Sequence, residues 1–434
     1  MWYYETSFYQ FYTLGFCEAP AVNDGITVPR IRKVLDFIPH LEKLGIGSVY
    51  FCPLFESDSH GYDTRDYSRI DCRLGTNEDF SFVCNALHKA GIRVVLDGVF
   101  NHVGRGFFGF LDVLKNREQS PYKDWFYINF SGNNDYNDNL WYEGWEGHFE
   151  LVKLNLDNPQ VVSYLLERIG QWIDEFDIDG LRLDVAYMLN PNFMKQLRAF
   201  CDNKKADFFL LGEMIHGDYN RLIQDDMLHS ATNYECYKGL YSSFNSMNMF
   251  EIGHSLLRQF GPENWTLYRG KHLLNFADNH DVTRIYSILN DKSHIRPLYA
   301  LLLGMPGIPC IYYGSEWGME GRKEDGDAAL RQSPTAPVEN ELTEWLCALL
   351  HARNGQPALF YGGLQIPFMT NHQLILERST ESETVYVAVN ASADTFQAHF
   401  PAKAAVATDL ITGESISLSD GLTMPGYSAF YLKI

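Results

Sequence analysis

The chain has 434 residues and a formal net charge of −20, and 46% of its residues are hydrophobic and 15% aromatic. This composition excludes a disordered chain, and the length allows one large barrel together with a smaller domain. The strong acidity argues against nucleic acid and anionic membranes as partners, although it does not identify a substrate.

The targeting and cysteine patterns indicate a cytoplasmic protein. Residues 2–29 contain neither Lys nor Arg and no sustained apolar run, so we expect no secretory signal. The uncharged run 297–315 is interrupted by Pro and Gly, which argues against a membrane span. Eight cysteines are scattered without a CxxC pair or a Cys/His metal spacing, as expected of reduced thiols in the cytoplasm.

Short apolar runs alternate with amphipathic runs from residue 1 to about residue 357. The predicted strands are Tyr4–Tyr12, Ser48–Cys52, Arg93–Leu96, Gly180–Leu183, Phe208–Leu211, Thr232–Tyr237, Leu273–Ala277 and Ile308–Tyr312. The predicted helices include Ile31–Leu44, Asn77–Ala90, Pro159–Phe176, Asn192–Cys201 and Glu341–Ala352. Eight strand-helix units predict an α/β fold, a (β/α)8 barrel. A doubly wound sheet also alternates, but eight units favour the closed barrel.

Two regions depart from this alternation. Between residues 103 and 154 no strand leads directly to the next helix, so we predict a small insertion after the third strand. The barrel then comprises residues 1–102 and 155–357. From residue 358 to 434 strand-like alternation dominates, which predicts a C-terminal antiparallel β-sandwich domain.

Four segments at strand ends contain a constellation of carboxylate and imidazole side chains. They are Asp97-Gly-Val-Phe-Asn-His102, Gly180-Leu-Arg-Leu-Asp184, Leu211-Gly-Glu213 and Phe276-Ala-Asp-Asn-His-Asp281. In a (β/α)8 barrel the chemistry lies at the carboxyl ends of the strands. Carboxylates placed there suit glycoside hydrolysis, which needs a nucleophile, a general acid and a negative group beside an oxocarbenium-like transition state.

In order, chemistry and spacing, these segments resemble the α-amylase family of retaining glycoside hydrolases. The resemblance implies that Asp184 is the nucleophile, that Glu213 is the general acid and base, and that Asp281 stabilises the transition state. Arg182 lies two positions before Asp184 on the same side of its strand, where a guanidinium lowers the pKa of a carboxyl group. A carboxyl group leaving an apolar strand, as Glu213 does, can have a raised pKa.

The resemblance also implies the substrate contacts. His102 and His280 match histidines that hydrogen-bond the sugar at the cleavage point, and Asp97 matches a buried supporting carboxylate. Tyr62, in His60-Gly-Tyr-Asp-Thr-Arg-Asp-Tyr67, matches the aromatic residue that stacks on this sugar. Asp327 and Arg331 match a pair that binds the next sugar outward, although Asp-x-x-x-Arg is also common as a helical salt bridge. Trp141, Tyr142 and Trp145 fit either further stacking positions or the core of the insertion.

Some positions depart from the family pattern. The segment Leu151-Val-Lys-Leu-Asn155 is close to that of neopullulanase-like and maltogenic members, but its first two residues differ. Val-Ala-Tyr-Met follows Asp184, where many secreted α-amylases have a Lys-His pair. Asn101 matches a calcium ligand of those enzymes, but no partner ligands accompany it. We therefore expect no required metal or cofactor, with calcium as the open alternative.

Three functions fit these residues. The first is a retaining hydrolase of α-glucosidic, mainly α-1,4, bonds in maltooligosaccharides. The second is a glucanotransferase that passes the same glycosyl group to another acceptor. The third, which the complete set of carboxylates disfavours, is a non-catalytic sugar-binding relative. An α-glucan is the expected partner, and nothing in the sequence indicates an oligomeric state.

Overall fold

The computed structural model describes all 434 residues, and its centre is an eight-stranded parallel sheet. The barrel strands, numbered in chain order, are β1 Phe8–Phe11, β2 Ser48–Phe51, β3 Arg93–Gly98, β4 Gly180–Leu183, β5 Phe209–Gly212, β6 Ser230–Ala231, β7 Leu274–Phe276 and β8 Ile308–Tyr312. Each strand pairs with the next in the chain from β1 to β6, and β8 pairs with both β1 and β7. A parallel bridge between Thr232 and Leu274 brings β6 to β7 and completes the ring. The predicted (β/α)8 barrel is therefore confirmed.

Helices surround these strands. The α-helices outside the insertion are Thr13–Phe16, Ile38–Leu44, Asn77–Lys89, Pro159–Phe176, Pro191–Lys204, Tyr234–Ser246, Phe250–Phe260, Ile285–Ile288, Ile295–Gly304, Asp327–Leu330, Glu341–Arg353 and Pro357–Tyr361. The 3-10 helices are Trp2–Tyr4, Arg30–Phe37, Arg117–Gln119, Lys123–Trp125, Ala186–Met188, Tyr219–Arg221, Lys292–His294, Ser315–Trp317 and Lys323–Asp325. The longest helix shows why they form: Asn158 caps it through the amide of Gln160, and its apolar face is buried.

Two predicted strands need correction. The run Thr232–Tyr237 is not a strand, because β6 ends at Ala231 and a helix begins at Tyr234. The side chain of Asn233 accepts a hydrogen bond from the amide of Cys236 and so caps that helix. The run Tyr4–Tyr12 is strand only from Phe8 to Phe11, and a 3-10 helix precedes it.

The segment between β3 and the next barrel helix forms a compact unit beside the barrel mouth. Its strands are His102–Gly104, Ile128–Asn129, Trp141–Tyr142, Gly144–Trp145 and His148–Lys153, and it contains the α-helix Phe108–Asn116, which we did not predict. His148–Lys153 pairs antiparallel with His102–Gly104, so the unit is fixed to the end of β3. A separate hairpin of Phe55–Ser57 and Thr64–Ile70 follows β2.

The C-terminal residues form antiparallel sheets, as predicted. A six-stranded sheet contains Gly363–Met369, Gln373–Ser379, Thr384–Asn390, Ala429–Lys433, Val406–Asp409 and Ser415–Ser417, and a two-stranded sheet contains Phe396–Ala398 and Leu422–Met424. A second apolar core lies between them. Arg378 and Arg353 are buried where this domain meets the barrel, and they donate to the carbonyls of Gly304 and Leu303 at the end of a barrel helix.

The cysteines and helix lengths complete the description. All eight cysteines are free thiols, and six of them are buried. No helix combines the length and the apolar character that a membrane crossing requires.

Candidate active site

The carboxyl ends of the barrel strands open into one cleft of about 590 Å³. Asp184 and Glu213 follow directly after β4 and β5, Asp97 lies within β3, and Asp281 follows β7. The residues that line the cleft are His60, Tyr62, His102, Trp145, His148, Glu150, Leu151, Asp184, Val185, Glu213, Ile215, Tyr234, Asp281, Val282, Lys323, Asp327 and Arg331. Seven of the ten predicted site residues are among them, and Asp97, Arg182 and His280 lie buried beneath the cleft.

Arg182 connects three buried carboxyl groups. Its Nη1 lies 2.8 Å from Asp184 Oδ1 and 2.9 Å from Asp97 Oδ1, and its Nη2 lies 2.7 Å from Glu213 Oε1. In the parallel register Arg182 is opposite Asp97 on β3 and opposite Leu211 on β5, which explains how one guanidinium reaches both neighbours. A planar cation with several donors suits this bridging position better than lysine would.

The cluster contains one cation and three carboxyl groups, and the pKa values of these carboxyl groups are raised. Burial raises the pKa of Asp184 well above its usual range, and Glu213 and Asp97 add to that effect, while Arg182 opposes it. Burial also raises the pKa values of Glu213 and Asp97, again against Arg182. Arg182 therefore lowers the pKa of Asp184 as expected, but burial outweighs it. One cation facing three buried carboxyl groups favours the retention of a proton by one of them.

A strained turn aligns Glu213 with Asp184. Val185, the residue after Asp184, has a φ of 40°, a left-handed conformation that is unusual for a β-branched residue. This conformation directs the Val185 amide to Glu213 Oε2 at 2.9 Å, while Glu213 Oε1 faces Arg182. Backbone strain of this kind is typical of functional sites.

Asp281 forms an ion pair with its neighbour His280. His280 Nε2 lies 3.0 Å from Asp281 Oδ2, and His280 Nδ1 lies 2.9 Å from the side-chain amide of Gln10 on β1. Although burial disfavours the charged ring, Asp281 raises the pKa of His280 to about 10. In turn, although burial would raise it, His280 and Arg331 hold the pKa of Asp281 well below its usual range. Asp281 is therefore ionised across the physiological pH range.

Tyr62 lies between Asp97, in the Arg182 cluster, and His280, which pairs with Asp281. Its ring is parallel to that of His280, with centroids 5.8 Å apart, and its hydroxyl contacts His280 and Asp97. The Tyr62 side chain also lines the cleft.

Asp327 and Arg331 lie at the edge of the cleft on the side of Asp281. Arg331 Nη2 lies 3.0 Å from both Asp281 Oδ1 and Asp327 Oδ2, and its guanidinium covers the ring of Tyr12. Asp327 also pairs with Lys323, which lines the cleft. The motif is thus a local ion pair and part of the cleft at the same time.

The insertion supplies the opposite wall. His102 is buried, and burial together with His60 lowers its pKa to about 3, so its ring is neutral. His102 Nδ1 contacts Asn101, whereas its Nε2 has no partner in the protein. Trp145 lies 6.1 Å from the His102 ring and stacks on His148. Of the aromatic candidates, Trp145 lines the cleft, Tyr142 belongs to the core of the insertion and Trp141 is exposed.

Asn101 contacts its neighbours within the protein. The Asn101 side chain contacts His102, and its carbonyl accepts from the Leu154 amide. One group in the protein, Glu56, Asp71 and Cys72, brings possible metal ligands within 4.8 Å of one another, and Asn101 is not part of it. Arg65 and Arg73 already pair with its two carboxylates.

Sequence reasoning missed several residues of the site, and three of them make polar contacts that matter for its geometry. Gln10 contacts His280, Tyr234 accepts a hydrogen bond from Asn279, and Lys323 pairs with Asp327. A polar residue inside the apolar strand Phe8–Phe11 was the available signal for Gln10. Tyr234 was hidden because the helix it begins was taken for a strand.

Known proteins share this architecture. Residues 24–386 match the family model of the α-amylase catalytic domain. An intracellular maltogenic amylase of Bacillus subtilis is 35% identical over 309 residues, which are 70% of this chain and 51% of that relative. A cyclomaltodextrinase of a Bacillus species is 30% identical over 410 residues, covering 90% of this chain and 73% of that relative.

A solved structure agrees over the full length. The cyclic α-maltosyl-(1→6)-maltose hydrolase of Arthrobacter globiformis, in complex with its cyclic sugar, superposes with a TM-score of 0.84 at 25% identity. That comparison covers 100% of this chain and 99% of the other. The chain spans about half the length of the Bacillus subtilis relative it matches. With this barrel, this cleft and a family match over most of its residues, the chain belongs to the α-amylase family.

Proposed function

We propose that this protein is a retaining glycoside hydrolase that cleaves α-glucosidic, mainly α-1,4, bonds of maltooligosaccharides. The observation that carries the proposal is the pairing of Asp184 and Glu213 through one guanidinium at the floor of an open cleft. Both carboxyl groups bond to the terminal nitrogens of Arg182, and this favours the ~5–5.5 Å spacing of retaining enzymes over the ~6.5–9.5 Å spacing of inverting ones.

The first step uses Asp184 as nucleophile and Glu213 as acid. In the reactive form Glu213 is protonated and Asp184 is ionised, and the raised pKa of Glu213 favours its role as the acid. Glu213 donates this proton to the glycosidic oxygen while Asp184 attacks the anomeric carbon. The C–O bond breaks, the shortened glucan leaves with a free hydroxyl, and a covalent glycosyl ester remains on Asp184.

The second step returns the enzyme to its starting form. Glu213, now ionised, removes a proton from water as the water attacks the anomeric carbon. The ester bond to Asp184 breaks, and the product keeps its α configuration because two inversions have occurred. Arg182 remains beside both carboxylates in each step and stabilises whichever of them is ionised.

The remaining residues bind the donor sugar. Asp281 is ionised and placed to stabilise the positive charge that develops on the sugar ring. His102 Nε2, which has no partner in the protein, offers a hydrogen bond to a sugar hydroxyl group, and Tyr62 offers a ring for stacking, while His280 supports Asp281 from beneath the cleft. Asp327 and Arg331 extend the site outward on the same side. Side chains supply the acid, the nucleophile and the charge stabilisation, so the proposed reaction requires no metal or cofactor.

The choice of substrate and location follows the relatives. Their names describe a maltogenic amylase and a cyclomaltodextrinase, which supports maltooligosaccharides and related cyclic glucans as substrates. The name intracellular maltogenic amylase and the eight free thiols support a cytoplasmic location.

Product analysis tests the proposal. The protein is incubated with maltotetraose, and products are followed by chromatography, beside the variants Asp184→Ala and Glu213→Gln. We expect shorter maltooligosaccharides from the wild type and a loss of at least about 10³-fold in both variants. Full activity of either variant would show that the roles are assigned wrongly. Products longer than maltotetraose would instead identify transfer as the main reaction.

A further inference from the structure

Arg284 is a fully buried cation three residues beyond Asp281, and the proposed chemistry does not use it. Its surroundings connect two parts of the candidate site that are distant in sequence. One part is the strand end that carries His280 and Asp281, and the other is the segment 320–331 that carries Asp327 and Arg331.

The contacts of Arg284 reach both parts. Its Nε donates to the Leu330 carbonyl at 3.1 Å, its Nη1 donates to the Tyr313 carbonyl at 2.7 Å, and its backbone amide donates to the Gly321 carbonyl at 2.9 Å. Its guanidinium also lies over the ring of Tyr312, 3.9 Å from the centroid. A single residue therefore contacts both ends of segment 320–331, through its backbone amide near the beginning and through its side chain near the end.

A buried carboxylate anchors this arrangement on the strand side. Asp278 accepts hydrogen bonds from the Ser315 hydroxyl at 2.7 Å and from the Ile285 amide at 2.7 Å. The same hydroxyl lies 3.3 Å from Arg284 Nη1. Asp278 is 1% exposed, and although this burial raises its pKa, Arg284 favours the ionised carboxylate across Ser315.

The position of Leu330 gives this network its functional meaning, because Arg331 follows directly. Arg331 donates to the His280 carbonyl at 3.1 Å and pairs with Asp281 and Asp327 at 3.0 Å each. Asp281 and Asp327 are partly exposed at the cleft, so the position of Arg331 also depends on the Tyr12 ring that it covers and on the backbone that precedes it. In that backbone the Leu330 carbonyl accepts hydrogen bonds from Arg284 Nε and from the Tyr312 hydroxyl, each at 3.1 Å.

We propose that Arg284 is a positioning residue that acts through Arg331: by fixing the Leu330 carbonyl, it holds the Arg331 guanidinium between Asp281 and Asp327. The functional consequence rests on the proposed hydrolysis, whereas the mechanical link between the two arginines does not. Loss of Arg284 displaces Arg331. It therefore weakens the ion pair between Arg331 and Asp281 and the binding of the next sugar by Asp327 and Arg331.

A double-mutant cycle separates this role from a general effect on folding. Arg284→Lys keeps a buried cation beside Asp278 but cannot donate to both the Leu330 and Tyr313 carbonyls. We expect kcat/KM for maltotriose to fall about 10- to 100-fold in this variant. In the Arg331→Ala background, the same change is expected to cost less than about twofold, because the contact it serves is already gone.

Arg353→Met is the matched control. Arg353 is also fully buried and donates to two carbonyls, those of Leu303 and Gly307, but it lies at the contact with the C-terminal domain. This variant should lower Tm yet leave kcat/KM of the folded enzyme within about twofold, with or without Arg331→Ala. Unchanged kcat/KM in Arg284→Lys, or an equal loss in both backgrounds, would overturn the proposal.

Thermal unfolding of the same variants keeps this test independent of the proposed reaction. A wild-type protein that cleaves no α-glucan would end the proposed function but leave the mechanical link to be tested. In that case the unfolding midpoints test the link. A smaller Tm shift from Arg284→Lys in the Arg331→Ala background than in the wild-type background supports it. Equal shifts in both backgrounds would refute it.

Discussion

Replacement of Arg182 by Met removes the one cation that faces Asp97, Asp184 and Glu213. All three carboxyl groups are at least about nine-tenths buried, and each lies within 2.9 Å of an Arg182 nitrogen. Breaking a buried ion pair by removing one partner costs about 3–5 kcal/mol. A cost in this range lowers Tm by on the order of 5 °C in a chain of this size. Activity should also fall, because the pKa of Asp184 then rises further and the ionised nucleophile becomes less populated.

The loss of stability should depend on pH with a defined sign. Without Arg182 the folded-state pKa values of the three carboxyl groups rise further above their unfolded values, so the folded variant binds more protons than the unfolded chain. Stability of the variant relative to wild type therefore increases as the pH falls from 7 to 5. Thermal unfolding at both pH values measures this directly.

Arg73→Met is a suitable control for this experiment. Arg73 is equally buried but pairs with a single carboxylate, Asp71, so its variant should show a smaller pH dependence. A loss of less than about 1 kcal/mol at pH 7 for Arg182→Met would refute the reasoning, since it would place the pair among weak surface contacts. A loss independent of pH would refute it equally.

Four further outcomes are expected. By NMR, the His280 ring should titrate near pH 10 in the wild type and at a clearly lower pH in Asp281→Asn, since the largest contribution that opposes burial is then lost; an unchanged titration contradicts the ion pair. Although burial would raise it, His88, the Val94 amide and two cations hold the pKa of Asp179 at about 2. The ionised Asp179 should therefore stabilise the folded protein by about 2 kcal/mol above pH 3.8, and this contribution should vanish as the pH falls through 2. Unfolding of Asp179→Asn across pH 2–7 tests this. Tyr62→Ala should lose at least about tenfold more kcat/KM than Tyr62→Phe, because only Phe keeps the ring face. Dialysis against EDTA should leave activity unchanged, since Asn101 lacks companion ligands; inactivation that added calcium reverses would contradict this.

The barrel could be predicted well because each strand and helix is indicated by the pattern of apolar and polar residues within its own segment. Strands β2 and β4 and the helix Pro159–Phe176 begin where the alternation of apolar and polar residues predicts. The strand Thr232–Tyr237 was wrong because the two residues of β6 carry almost no periodicity. The aromatic and β-branched residues that follow them favour a strand, yet Asn233 caps a helix there.

The site could be predicted as a set of residues but not as a network. Strand-end position placed Asp184, Glu213 and Asp281 at one end of the barrel before any distance was known. The balance of charges could not be read in the same way, because the pKa of Asp184 depends on how deeply Arg182 and its three partners are buried. In links such as that from the Arg284 side chain to the Leu330 carbonyl the acceptor is a backbone atom, which every residue type carries, so the sequence does not reveal the partner.

The most direct test of the central claim is to trap the covalent intermediate. The variant Glu213→Gln is mixed with α-maltosyl fluoride, whose leaving group needs no acid, and the protein is digested and measured by mass spectrometry. The account predicts one maltosyl group on the peptide that contains Asp184, since attack proceeds while hydrolysis of the ester is slowed. A maltosyl group on a different residue, or fluoride release without any covalent adduct and with inverted product, would contradict it.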